Sequence, residues 1–438
     1  MMSILRITLL VVAQAIFAVV AVNAAPLPSD AKHLGVASCA GSTCHGAVKP
    51  IGKYEIRQDE YFIWQRKDAH AQAHKLLLEG RSDRISRNLG WGKAAEADGC
   101  LVCHTDHIAP SAQGEKWLMS DGVGCEACHG GSENWIGSHV DGYDSREAAI
   151  KDGLYPTWDD AARAEMCLSC HQSDAKRPMT HAIMAAGHPP LLFELDTFGT
   201  LAPYHHDVDP DYVERKGEQD AARSWAVGQA MAADMLLGNL AQGRHKNGLM
   251  PELAFFDCDA CHHSMEAQRW HAGRTGNTPP GTVPLLDASM VMTGAWLSAV
   301  DPALASRWRQ RWKALYASGI GGESALQQQA KKLQGLLRES VLLRAKSTRL
   351  DDAQLKRVLS SVIAAASGAH AGDFQFAQQT AMASLVLGSA IGQRRGQALL
   401  PSEQKAIDDL YAAVQDRDRF SASVYRKALN RVKSALRV

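Results

Sequence analysis

The stretch Asp121-Gly-Val-Gly-Cys125-Glu-Ala-Cys128-His129-Gly-Gly131 decides how this chain is read. Two cysteines separated by two residues, with a histidine directly after, gather two thiols and an imidazole on one short piece of backbone. The same order returns at Cys100-Leu-Val-Cys103-His104, Cys167-Leu-Ser-Cys170-His171 and Cys258-Asp-Ala-Cys261-His262. A fifth version, Cys39-Ala-Gly-Ser-Thr-Cys44-His45, has four residues between its thiols. The five pairs use all ten cysteines of the 438-residue chain, and every pair ends in histidine.

C-x-x-C-H is the attachment signature of c-type haem, in which the thiols bond the porphyrin and the histidine becomes an axial ligand of the iron. With 10 cysteines and 18 histidines in 438 residues, chance supplies about 0.01 copies, against four strict ones. Zinc knuckles also use C-x-x-C pairs, but they need no histidine after the second thiol and leave one pair of five unmatched. The expectation is therefore five covalently bound haem c groups, with iron held by His45, His104, His129, His171 and His262.

The sixth ligands come from elsewhere in the chain. His70 lies in a helical stretch, Glu60 to Lys75, with His74 one turn on. His139 follows Trp135 in a short loop, and His188 sits in Ala186-Gly-His-Pro-Pro190, where prolines stiffen the backbone. His181 precedes it on a helix, and His205 begins a His-His pair. Two imidazoles give a low-spin, low-potential haem, whereas an empty sixth position leaves a site for a small molecule. Met179, Met184 and Met265 are read as packing residues. His33, His107, His263 and His370 are read as structural.

Composition narrows the partners. The chain has 47 basic and 47 acidic residues, so it lacks the basic face that nucleic acid requires. A content of 46% hydrophobic and 21% charged residues is that of a globular protein. Arg6, the apolar run Ile7 to Val22 and the small residues before Ala25 form a Sec signal peptide over residues 1–24. That places the mature chain in the periplasm, soluble or peripherally associated with a membrane.

Residues 25–275 are expected to form a pentahaem domain with long loops and little β structure. At roughly fifty residues per haem, the cofactors must pack on one another and replace the aromatic side chains, which make up only 6%. Residues 276–298 read as a linker. From 299 to 438 the pattern is an antiparallel helical bundle. Asp301 caps one helix, with Leu304, Trp308, Trp312 and Leu315 on one face. Leu326, Leu333, Leu337 and Val341 mark a second, and Leu355, Val358, Leu359 and Val362 a third. Asp373 opens a fourth, Ser402 caps a fifth, and Phe420, Val424, Leu429, Val432 and Leu436 mark a sixth. The fold class is mainly α.

The run Asp121 to Gly131 resembles the third motif of the multihaem cytochromes c typified by cytochrome c-554, a tetrahaem acceptor of electrons from hydroxylamine oxidoreductase. Cys100 to His104 resembles that family's second motif, Cys167 to His171 its fourth, Asp68-Ala-His70 its helical distal histidine, and His139 the histidine after its third motif. The likeness covers roughly residues 36–210. The wider first motif, the fifth haem, the long tail and His188-Pro-Pro depart from it. In the family the second-motif haem lacks a protein sixth ligand, so the resemblance makes the haem of His104 the candidate open site.

Two functions follow. One is a periplasmic electron carrier working between a donor and an acceptor redox protein, either of them periplasmic or membrane-bound, through mostly bis-histidine haems. The other is a multihaem oxidoreductase acting on a small nitrogen or sulfur species, such as nitric oxide, hydroxylamine, nitrite or tetrathionate, at one open haem. All five attachment histidines conform to the motif, and the abundance of further histidines favours the carrier, with no catalytic residue assigned.

Overall fold

Ala221–Ala241 contains no proline and only one charged residue past its first turn, so a helix there can be buried on nearly every side. It is the central helix of the molecule (α1), with Trp225, Leu237 and Leu240 fully buried. In the computed structural model, which describes residues 31–48, 58–143, 145–201, 205, 208, 210–244, 246–247, 250–263, 278–279, 281–319 and 322–438, seven further helices build around or beside it. These are α2 (Ala288–Val300), α3 (Pro302–Ser318), α4 (Glu323–Leu336), α5 (Asp352–Ser367), α6 (Phe374–Arg394), α7 (Pro401–Ala412) and α8 (Ala422–Leu436). α1 packs on α2, α4 and α6; α5 packs on α2, α6 and α8; and α7 packs on α8. The signal-peptide residues, Met265 and His206 lie outside the described residues.

The architecture is mainly α. Its named strands, Lys246–Asn247 and Met250–Pro251, form one two-residue antiparallel ladder among the described residues. No described helix is long and apolar enough to cross a membrane.

Local rules account for the tail. The Asp301 carboxylate accepts the Leu304 N–H at 3.0 Å with Pro302 at the first helical position, and the Asp373 carboxylate accepts the Phe376 N–H at 2.8 Å. Ser402, expected as a cap, lies inside α7, because Pro401 already occupies the first turn. Val424 is 51% exposed and Tyr425 takes its place in the core. Residues 425, 429, 432 and 436 fall on one face, and 424 stands about 100° away from it.

The segment expected as a linker holds α2, whose Met290, Met292 and Leu297 are fully buried, and α1 belongs to the same apolar core as the tail. Packing therefore runs without a break from α1 into α8. The cysteine-rich part contributes little to that core. Its own clusters are small, such as Leu77 with Ala94 and Leu101, and its helices are mostly short: Asp98–His104, Cys125–His129 and Asp160–Leu168.

Candidate haem centres

Each attachment motif with a described backbone turns in a short helix or a single helical turn. The second lies on Asp98–His104 and the third on Cys125–His129, while the fourth passes from Asp160–Leu168 into a π turn, Ser169–Ser173. Ser173 closes that turn at φ 114°. Its carbonyl accepts Asn239 Nδ2 at 3.2 Å, and its hydroxyl accepts the Met179 N–H at 2.9 Å. π turns gather at functional positions, and this one sets the direction of His171.

The Gly-Val-Gly run before the third motif is a close-packed junction. A Cβ on Gly122, which has φ 68°, would lie 2.7 Å from the His70 carbonyl oxygen, and one on Gly124 would lie 2.8 Å from Val36 Cγ2. Val123 N–H donates to the His70 carbonyl at 3.0 Å, and Trp64 Nε1 donates to the Val123 carbonyl at 3.2 Å. Glu126, inside the motif and 2% exposed, accepts the N–H groups of Leu34, Gly35 and Ser132 at 2.7, 2.7 and 2.8 Å. These bonds fix the third motif to the backbone that leads into the first.

The stretch containing His70 is not one helix. It breaks at Asp68, whose backbone is extended (φ −87°, ψ 126°) and whose carboxylate accepts the His70 N–H at 2.9 Å. The cap wins over helix continuation there, and a 3₁₀ turn, Ala69–Gln72, carries the histidine.

Four attachment histidines face a second imidazole. His45 and His139 stand with ring centroids 6.1 Å apart and planes at 15°. His104 and His188 are 6.4 Å apart, His70 and His171 6.0 Å, and His181 and His262 6.1 Å. A metal–imidazole bond of about 2.0–2.1 Å and a ring nitrogen roughly 1.1 Å from its centroid place two such rings about 6.3 Å apart around one iron. All four pairs fit that spacing. Burial pulls the pKa of His171 down to about 4 and lowers that of His104 as well, whereas the Glu60 and Asp68 carboxylates raise those of His45 and His70.

The thiols adjoin between motifs. Cys39 and Cys125 are interacting neighbours, as are Cys103 and Cys170, which brings motif one beside three and motif two beside four. The attachment points are close, as cofactors that share one enclosure require.

Residues 37–130 match the family model described as Cytochrome c554 and c-prime. This segment is cytochrome c-554-like. The match takes in the first three attachment motifs, supports covalent haem c with its iron as the cofactor, and supports electron transfer as its role. No curated protein and no solved structure matches the chain.

Two placements differ from the sequence reading. The open site was expected at His104, and His188 stands across from that ring instead. His205 was expected to face an iron, and its Nε2 is bonded to Asp68 Oδ2 at 2.5 Å. Among residues read as structural, His33 is buried with Nδ1 on Asp106 Oδ2 at 2.7 Å. Sequence reasoning missed Glu60, which meets His45 Nδ1 at 3.1 Å, and the part played by Asp68. A carboxylate two residues before a candidate ligand was the available signal for Asp68; Glu60 is fifteen residues from His45 and left none.

Proposed function

We propose that the chain is a periplasmic pentahaem c-type cytochrome that transfers electrons between a donor and an acceptor redox protein. The five motifs tether haem through Cys39/Cys44, Cys100/Cys103, Cys125/Cys128, Cys167/Cys170 and Cys258/Cys261. His45, His104, His129, His171 and His262 are the attachment-side ligands. His139, His188, His70 and His181 are the distal ligands opposite His45, His104, His171 and His262.

The observation that carries this reading is the spacing of the four ring pairs, 6.0 to 6.4 Å, which suits two imidazoles on one iron. Bound haem supplies a one-electron couple, while the chain supplies the thioether tethers, the axial nitrogens and the hydrogen bonds that fix each ring. An oxidoreductase needs an iron with a free position. The residue first expected to provide one faces His188, and four of the five proposed centres have an assigned second imidazole, so the carrier reading is preferred. The His129 haem, to which no distal ligand is assigned, is the one on which an enzyme reading would rest.

Low-temperature EPR of the ferric protein, with intact mass to count the haems, tests the proposal. Five haems with low-spin signals unchanged by nitric oxide support a carrier. A high-spin signal that responds to nitric oxide supports an enzyme.

A further inference from the structure

The imidazoles read as iron ligands differ in what holds their outer nitrogen. His104 Nδ1 meets the Ala73 carbonyl at 3.0 Å, His139 Nδ1 the Ile136 carbonyl at 2.9 Å, and His188 Nδ1 the Pro189 carbonyl at 2.8 Å. His70 Nδ1 instead meets a carboxylate, Asp68 Oδ1, at 2.8 Å. The difference is chemical. A carboxylate draws the Nδ1 proton harder than an amide carbonyl does, leaves more electron density on Nε2, and makes the ring a stronger donor to ferric iron. Its own negative charge acts in the same direction.

Asp68 is built to exert that pull. It is 5% exposed, so its charge is poorly screened by water. The extended backbone at Asp68 turns its side chain back onto the following residues, where Oδ1 takes both the N–H and the Nδ1 of His70. Oδ2 takes His205 Nε2 at 2.5 Å.

We propose that Asp68 is a positioning residue that sets the reduction potential of the His70–His171 centre below that of the His104–His188 centre, with His205 limiting the pull. The second centre is the natural reference, because both of its imidazoles rest on backbone carbonyls. The proposal depends on reading these ring pairs as iron ligands.

Redox titration of the full haem-loaded chain, followed by EPR, tests both levels. His70→Ala is the marker: it turns one low-spin haem high-spin and so identifies which signal belongs to that centre. If His70→Ala leaves every haem low-spin, the ligation reading fails and the proposal falls with it. In Asp68→Asn the marked signal stays low-spin and its reduction equilibrium moves about tenfold toward the reduced form, an upward shift of about 59 mV, while the other centres hold. In His205→Ala the same signal moves the opposite way, because Asp68 then bonds His70 alone. Three outcomes overturn the assignment while leaving ligation intact: an unmoved potential, equal shifts at every haem, or loss of the low-spin signal in Asp68→Asn. A high-spin signal in His205→Ala would show that His205 is itself a ligand, and would remove its proposed role.

Discussion

Arg417, from the turn between α7 and α8, grips Asp259 in the middle of the fifth attachment motif. Its Nη2 and Nε lie 2.9 and 3.2 Å from Asp259 Oδ1, and the other carboxylate oxygen accepts the N–H of Phe374 at the start of α6 at 2.9 Å. The helical tail thereby holds the Cys258-Asp-Ala-Cys261-His262 motif by the carboxylate at its centre.

That grip is expected to matter for stability. Asp257, Asp259 and Asp373 are all buried, with carboxylate oxygens within 4.8 Å of one another, and Arg417 is paired with one of them, Asp259. Arg417→Gln leaves Asp259 without its counter-charge, which costs about 2–4 kcal/mol once the partial exposure of the arginine is allowed for. Denaturant unfolding followed by far-UV circular dichroism checks the loss, and Arg417→Lys should recover only part of it, since it keeps the charge but not the guanidinium's two donors converging on Asp259 Oδ1.

The attachment motifs and the distal candidates His70, His139, His181 and His188 could be picked out from local spacing, because thiol–thiol–imidazole order and helical turns are properties of short segments. The pairing could not, since His188 reaches His104 across 84 residues and only the packed chain brings them together. The same limit hid α1. Its apolar residues surround the whole helix, so no face shows in the sequence, and its place in the tail's core depends on contacts with α4 and α6. His205 was read as a ligand because the sequence lists its ring and not the direction of its nitrogens. Val424 failed for a smaller reason, a slip of one residue, or about 100°, on α8.

His188→Ala should open one iron. The centroids of His104 and His188 lie 6.4 Å apart, and no methyl group can bridge that gap. One ferric haem is expected to turn high-spin and to bind nitric oxide, while the haems served by His139, His70 and His181 stay low-spin. An unchanged EPR spectrum would remove His188 from the ligand set and return the open site to His104.

Glu60→Gln should raise the potential of the His45–His139 centre, by less than Asp68→Asn moves its own. The sign is the same, because Glu60 Oε2 also draws on an outer nitrogen, that of His45, at 3.1 Å. The size is smaller for two reasons: the bond is longer, and the Glu60 side chain is 25% exposed against 4% for Asp68, so water and salt screen more of its charge. Spectroelectrochemical titration of both variants in one buffer tests the ranking, and a larger shift for Glu60→Gln would refute it.

Asp196 gives a pH dependence that belongs to the fold and not to the cofactors. Burial, and then the neighbouring Glu194 carboxylate, push its acid up to about 7. An acid raised in the folded state holds its proton more tightly there than in the unfolded chain, where it ionises near 4. Folding therefore carries no penalty from this group below pH 4, a growing one between 4 and 7, and the full one above 7. Asp196→Asn keeps the shape and removes the charge. Its melting temperature should equal that of the unaltered protein at pH 4 and exceed it by a few degrees at pH 8. Calorimetric melts at the two pH values decide the matter, since a gain of the same size at both would mean that packing, and not ionisation, is responsible.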